Sequence, residues 1–278
     1  MNIELSDLAE VKGIGKKTLR RIREHKLNNE GYISEYDENL HLDINSINKG
    51  DCLELMNGIP DKSIDMILAD LPYGTTACKW DSIIDLDKLW IQYERIIKDN
   101  GAIVLTASEP FASKLRRSNL QKYKYDWIWN KKKPSTGLHA NIQPLRQHEN
   151  ILVFGDRIRY FPQMEESKQR FDKPRRANNG EAFGGKEVLR QHSNNGFKYP
   201  KTIIEISNAN QNNRYHPTQK PVSLFEYLIK TYTKEGNLIL DNVAGSGTTG
   251  VVCQNTNRDY ILIEQDEEYC KIINDRLK

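Results

Sequence analysis

Two short apolar runs in this chain each stop at an aspartate that opens a turn, and that repeated pattern restricts the fold more than any other feature. Ile64-Asp65-Met66-Ile67-Leu68-Ala69 leads into Asp70-Leu71-Pro72-Tyr73, and Leu238-Ile239-Leu240 leads into Asp241-Asn242-Val243-Ala244-Gly245-Ser246-Gly247-Thr248-Thr249-Gly250. Such runs, short and bounded by turn residues, read as strands buried on both faces. Further strands are expected at 101–106, 125–129, 150–154 and 260–263. Helices are expected at 85–97, from 111, and at 221–233, 247–255 and 267–277. Strands alternating with helices imply an α/β, doubly wound, mainly parallel sheet with helices on both faces. A chain of 278 residues can bury a core of that size and still carry appendages.

The second turn satisfies Gly-x-Gly-x-x-Gly between a strand and a helix, at Gly245, Gly247 and Gly250. Glycines there permit a tight turn and close approach of backbone to a ligand. On this pattern alone a dinucleotide is a full competitor for the site. Glu264, at the end of the next strand, can accept hydrogen bonds from ribose hydroxyls of either class of ligand.

Asp70-Leu71-Pro72-Tyr73 resembles the catalytic tetrapeptide of amino-group DNA methyltransferases, and the Asp241 to Thr249 segment resembles their S-adenosylmethionine loop. Catalytic segment before cofactor segment is the order of the beta class, and the resemblance covers roughly residues 47–277. It implies a Rossmann-like, seven-stranded methyltransferase sheet. His216-Pro217-Thr218-Gln219-Lys220-Pro221 resembles the family's segment upstream of the loop, and Asp51-Cys52 follows Gly50 where the family has a Gly-Asp pair near the cofactor. By resemblance, the cofactor residues are Asp51, Cys52, Asp70, His216, Thr218, Lys220, Asp241, Val243, Gly245, Ser246, Gly247, Thr248, Thr249 and Glu264. The implied cofactor is S-adenosylmethionine, released as S-adenosylhomocysteine, with no metal.

An exocyclic base amine is a poor nucleophile because its lone pair is delocalised into the ring. Two acceptors facing its N–H bonds favour tetrahedral geometry and so stabilise the transition state. The Asp70 carboxylate and the Leu71 carbonyl are the expected acceptors, Pro72 stiffens the turn, and Tyr73 is suited to stack on an extruded base. Asp in the first position resembles adenine-N6 enzymes, so N6 of adenine in double-stranded DNA is the expected target. Cytosine N4 on the same scaffold is the alternative. Leu71 replaces the family's usual proline, and Asn242-Val243 stands where Pro-Phe is common. Those departures support a second alternative, a DNA-binding protein whose catalytic motif has decayed. The family's enzymes belong to restriction–modification systems, and short chains with variant tetrapeptides resemble phage or prophage modification enzymes.

Lys and Arg total 41 against 38 Asp and Glu, a balance too mild to imply nucleic acid. Distribution says more. Residues 12–26 carry seven basic and one acidic side chain, 114–133 eight and one, and 157–205 eleven and six. Each cluster alone reads equally as a solvated face; together they suit phosphates. Residues 1–28 resemble a helix-hairpin-helix motif, with Lys12, Gly13, Gly15 and Lys16 at its turn; 29–44 read as a linker and 45–278 as the catalytic domain. Within it, 157–205 is irregular and falls where the family places its target-recognition insertion, with Lys168, Arg170, Arg175 and Arg176 as candidate DNA contacts.

The four cysteines form no Cys-x-x-Cys pair and none follows a proline, so neither a zinc site nor cytosine-C5 chemistry is expected. With no membrane-length apolar stretch and no leader, the expected location is cytoplasmic, at the nucleoid when DNA is bound. A homodimer is expected only by analogy with the beta class.

Overall fold

The computed structural model describes residues 36–74, 81–135, 137, 140–167, 175–178, 187–190, 196–208, 215 and 219–278, with 135, 175–178 and 187–190 described by backbone only. The expected helix-hairpin-helix unit, with Lys12, Gly13, Gly15 and Lys16, lies outside the described residues, as do Lys168, Arg170, His216 and Thr218.

The main unit carries one eight-stranded sheet, where seven strands were expected. In chain order its elements are β1 (Ser46–Lys49), α1 (Cys52–Leu55), β2 (Ile64–Ala69), α2 (Leu86–Ile96), β3 (Ile97–Ala107), α3 (Phe111–Ser118), β4 (Tyr123–Ser135) and β5 (Arg146–Phe154). A separate unit, Pro162–Lys201, holds β6 (Glu165–Glu166), β7 (Arg175–Asn178), β8 (Glu187–Arg190) and β9 (Phe197–Lys198). The main unit then resumes with β10 (Ile203–Glu205), α4 (Val222–Tyr232), β11 (Leu238–Asp241), α5 (Thr248–Asn255), β12 (Asp259–Glu264) and α6 (Glu267–Arg276). The sheet order is β1-β12-β11-β2-β3-β5-β4-β10, and β5 alone runs against its neighbours.

β2 is buried at every position, which requires cover on both faces. Its alternate residues supply the two halves of the core. Ile67 and Ala69 pack with Ile103, Leu105 and Leu240 against Trp90 and Tyr93 of α2 and Phe111 and Leu115 of α3. Met66 and Leu68 pack with Val104, Ile239 and Leu262 against Leu224, Phe225 and Leu228 of α4 and Val252 of α5. The sheet is therefore doubly wound.

The two strands not foreseen are β1 and β10. β1 holds one apolar residue in four and β10 is only three residues long, so each is set as a strand by its partner, β1 beside β12 and β10 beside β4. The stretch expected to be irregular also contains two antiparallel ribbons, β6 with β9 and β7 with β8. The β6–β9 ribbon is exposed, so no apolar alternation marks it in the sequence.

Helix starts follow local chemistry. Asp85 caps α2 by accepting from the Asp87 and Lys88 N–H groups, and Asp266 caps α6 through Glu268 and Tyr269. Gly58 sits so tightly under the 36–42 segment that an added Cβ would lie 2.1 Å from the Leu40 carbonyl oxygen. Gly58→Ala is predicted to cost about 3 kcal/mol in urea unfolding because backbone must move; an unchanged midpoint would show that this segment yields freely.

Candidate active site

The chain leaves the centre of the sheet in two directions. From β2 it passes through α2 on one face to β3; from neighbouring β11 it passes through α5 on the other face to β12. At such a switch point the loops diverge and leave a crevice beyond the carboxyl ends of the strands. The two aspartate turns of the sequence both open there, because β11 pairs directly with β2.

Asp70 is the hub of a buried polar cluster. Its Oδ1 accepts from the Tyr73 hydroxyl at 2.7 Å and from the Thr106 hydroxyl at the end of β3. Its Oδ2 accepts from Lys220 Nζ at 2.6 Å. Lys220 also lies 3.4 Å from Glu149 Oε2 on β5, and Lys131 Nζ on β4 lies 3.1 Å from Glu149 Oε1. Burial alone would lower the Lys220 pKa, but Asp70 and Glu149 more than offset it and hold the ammonium above its ordinary range. Burial likewise pushes Glu149 up, and Lys220 and Lys131 reverse this and hold its carboxylate below the usual range. The Tyr73 phenol is pushed up by burial and by the nearby Asp70 and Glu149 charges, so it remains a donor.

The Tyr73 ring stacks on Phe111 with centroids 5.4 Å apart, which fixes the tetrapeptide against α3. Leu71 is buried in the α2–α3 side of the core, and Pro72 is half-buried. No described residue donates a hydrogen bond to the Leu71 carbonyl.

The glycine loop forms the other wall. Gly245 and Gly247 have φ of 54° and 76°, the left-handed region that glycine enters without strain. The Gly245 N–H donates to Glu264 Oε2 at 2.7 Å, tying the loop to the end of β12. Burial raises the Glu264 pKa against the backbone donors that favour its charge. Asp241 accepts from the Val243 N–H at 3.2 Å and from the Thr249 hydroxyl. Its carboxyl is pushed up to about 7, chiefly by burial, with Asp70 and Glu264 adding to the effect. Ser246 is held by the Arg276 guanidinium and lies 3.3 Å from Gln219. Thr248 is buried at the start of α5, and Val243 packs on the α2–α3 side of the core. Asn242 accepts from the Tyr93 hydroxyl at 2.6 Å, while its buried Nδ2 has no hydrogen-bond partner among the described residues. Cys52 is buried close by, its thiol pushed up to about 11 by desolvation.

The structure therefore brings Asp70, Tyr73, Lys220, Asp241, Val243, Gly245, Ser246, Thr249 and Glu264 to one edge of the sheet. Asp51 stands at the start of α1, capping it through the Leu53 and Glu54 N–H groups. Arg175 and Arg176 lie on β7 of the separate unit. Lys220, expected in the cofactor wall, has its ammonium on the tetrapeptide carboxylate. Thr106 and Phe111 carried no signal of their own in the sequence; their positions depend on where β3 ends relative to β2.

Comparison with known proteins places this geometry. The DNA methylase family of N6/N4 methyltransferases matches residues 64–275. The chain belongs to that family. It is a DNA methyltransferase whose methyl donor is S-adenosylmethionine, acting on an exocyclic amine of adenine or cytosine. It is 27% identical over 240 residues to the type II methyltransferase M.HpaI of Haemophilus parainfluenzae, covering 81% of this chain and 71% of that one. It is 29% identical over 245 residues to the DNA adenine methyltransferase YhdJ of Escherichia coli, covering 80% and 79%. Its fold is similar to M1.HpyAVI in complex with S-adenosylmethionine (TM-score 0.56, 22% identity, 84% of this chain and 98% of that one). It is similar also to the cytosine-N4-specific PvuII DNA methyltransferase (TM-score 0.57, 17% identity, 86% and 88%). Among the described residues no helix is long and apolar enough to cross a membrane, and no group of three or more His, Cys, Asp or Glu could hold a metal ion.

The raised Asp241 pKa has a consequence for stability. Between the unfolded value of 3.8 and about 7 the unfolded chain is ionised at Asp241 while the folded one holds the proton. Its contribution is complete below about pH 4 and lost as pH rises to about 7. Relative to Asp241→Asn, the methyltransferase is predicted to lose about 3 kcal/mol between pH 5 and pH 8 in urea unfolding without cofactor. A difference that does not vary with pH would show an ordinary carboxylate.

Proposed function

We propose that this methyltransferase transfers a methyl group to N6 of an adenine extruded from double-stranded DNA, with Asp70 and the Leu71 carbonyl holding the amine. The observation that carries the reading is the Asp70 cluster: a carboxylate fixed by three donors beside a carbonyl to which no described residue donates. Two acceptors held in place before the base arrives cost no reorganisation when the amine turns tetrahedral. Tyr73, braced by Phe111, offers its remaining ring surface to the extruded base.

The loop residues suit the methyl donor. The left-handed turn at Gly245 and Gly247 allows close approach, and the buried Asn242 Nδ2 is a donor without a partner among the described residues. Glu264 is the proposed acceptor for ribose hydroxyls, Asp241 shapes the loop through Thr249 and Val243, and Ser246 and Thr248 line its turn. Asp51 and Cys52 at the start of α1, with His216 and Thr218, complete the proposed pocket. Bound S-adenosylmethionine supplies an already activated methyl group and departs as S-adenosylhomocysteine. The protein's own task is placement, holding the amine in line with that methyl group in a site shielded from water.

DNA is held, in this reading, by the helix-hairpin-helix-like segment through Lys12, Gly13, Gly15 and Lys16, and by Lys168, Arg170, Arg175 and Arg176 of the 157–205 insertion. A phage or prophage origin and a homodimer are part of the same proposal.

Unmethylated genomic DNA incubated with labelled S-adenosylmethionine and analysed by nucleoside mass spectrometry is predicted to yield N6-methyladenine. Asp70→Ala is predicted to lower the rate at least 100-fold, roughly the loss from removing one preorganised transition-state contact, while S-adenosylhomocysteine binding in calorimetry is kept. N4-methylcytosine would overturn the choice of base, and full activity in Asp70→Ala would overturn the site.

A further inference from the structure

The Asp70 cluster also specifies where the amine must bind. A carboxylate offers about four acceptor positions, two on each oxygen. Both positions on Oδ1 are filled, by the Tyr73 and Thr106 hydroxyls, and one on Oδ2 is filled by Lys220. Among the described residues, the position left unfilled is on Oδ2, the oxygen that Lys220 already holds at 2.6 Å. An amine N–H donated there comes to rest beside Lys220 Nζ. That ammonium has three N–H groups: one faces Asp70, a second faces Glu149 at 3.4 Å, and no oxygen or nitrogen of the described residues accepts from the third, with the Tyr73 ring centroid 5.8 Å from Nζ. The Lys220 side chain is only 7% exposed, so bulk water does not readily satisfy the third group.

We infer that Lys220 reads the target base, donating its third N–H to the ring nitrogen next to the amine, N1 of adenine or N3 of cytosine. This rests on the proposed role of Asp70 as amine acceptor. Asp70 Oδ2 and Lys220 Nζ form an acceptor beside a donor, the complement of the amine-and-ring-nitrogen edge that adenine and cytosine share. Guanine and thymine present the opposite pattern, a carbonyl oxygen beside a ring N–H. Either would set oxygen against carboxylate and N–H against ammonium, and would be rejected. The same pairing fixes the base in its plane and points the amine toward the methyl donor. Glu149, flanked by Lys131, acts as a positioning residue that keeps Lys220 charged and in place. Because both amino bases share this edge, the contact selects them as a class and leaves the choice between them to the rest of the pocket.

The test uses a duplex containing the protein's own methylated sequence, mapped from DNA it has modified. The target base is either natural or has its ring nitrogen replaced by C–H, as 1-deazaadenine or 3-deazacytosine. It is placed opposite an abasic site so that pairing strength does not differ. Equilibrium binding is measured with S-adenosylhomocysteine present, so no turnover is needed. The wild-type protein is predicted to bind the deaza duplex about 10- to 100-fold more weakly, the usual range for a hydrogen bond to a charged donor. Lys220→Met is predicted to bind the two duplexes equally, and Lys220→Arg to recover part of the discrimination. Equal binding by the wild type, or discrimination retained in Lys220→Met, would overturn the inference. Should Lys220→Met fail to bind S-adenosylhomocysteine, Lys220→Gln takes its place, and the wild-type ratio alone still decides. Failure here leaves DNA methylation by the wild type intact, whereas failure of the Asp70 reading appears as full methylation by Asp70→Ala.

Discussion

The ammonium of Lys220, buried between Asp70 and Glu149, ties together three separate parts of the chain. Asp70 follows β2, Glu149 lies on β5, and Lys220 stands just before α4. Taking these charges out of water is expensive, and their mutual attraction repays it only when geometry and hydrogen bonds are good. Removing one partner from such a cluster typically costs about 3–5 kcal/mol, whereas replacing the whole by apolar residues is often neutral. Stability alone does not call for this arrangement. In the proposed function the arrangement serves the amine, because it holds a carboxylate ready with one acceptor position that no described residue fills.

The sheet makes the cluster possible. With β11 beside β2, the glycine loop and the tetrapeptide open at adjacent strand ends, so the sites proposed for the methyl donor and the amine share one crevice without either loop having to be long. The reversed strand β5 contributes differently. Because it runs against β3 and β4, its early residues, Glu149 among them, lie at the same edge as Asp70 instead of the far one. One antiparallel strand thus puts a carboxylate where a parallel one would have put the end of its apolar run.

The central strands were legible because they are buried on both faces and so read as continuous apolar runs; β2 and β12 are examples. β1 and β10 were not: Ser46-Ile47-Asn48-Lys49 is mostly polar, and Ile203-Ile204-Glu205, though it holds two isoleucines, is too short to stand out without its partner strand. The same division applies to the site. Asp70, Tyr73, Asp241, Gly245 and Glu264 stand in contiguous segments that the resemblance to the methyltransferase family picks out. The pairing of Lys220 with Asp70 and of Lys131 with Glu149 depends on the register of β4 on β5 and on the path of the chain into α4, neither of which is written in any local pattern.

In the proposed function, one carboxylate oxygen of Asp70 and the neighbouring Leu71 carbonyl receive the target amine. The most direct measurement is a crystal structure of the protein with S-adenosylhomocysteine and a duplex carrying its methylated sequence. The extruded base is expected with its exocyclic nitrogen within hydrogen-bond distance of Asp70 Oδ2 and the Leu71 carbonyl, and its ring nitrogen facing Lys220. An extruded base whose amine lies away from Asp70, with the Lys220–Asp70 pair undisturbed and turned from the base, would contradict it.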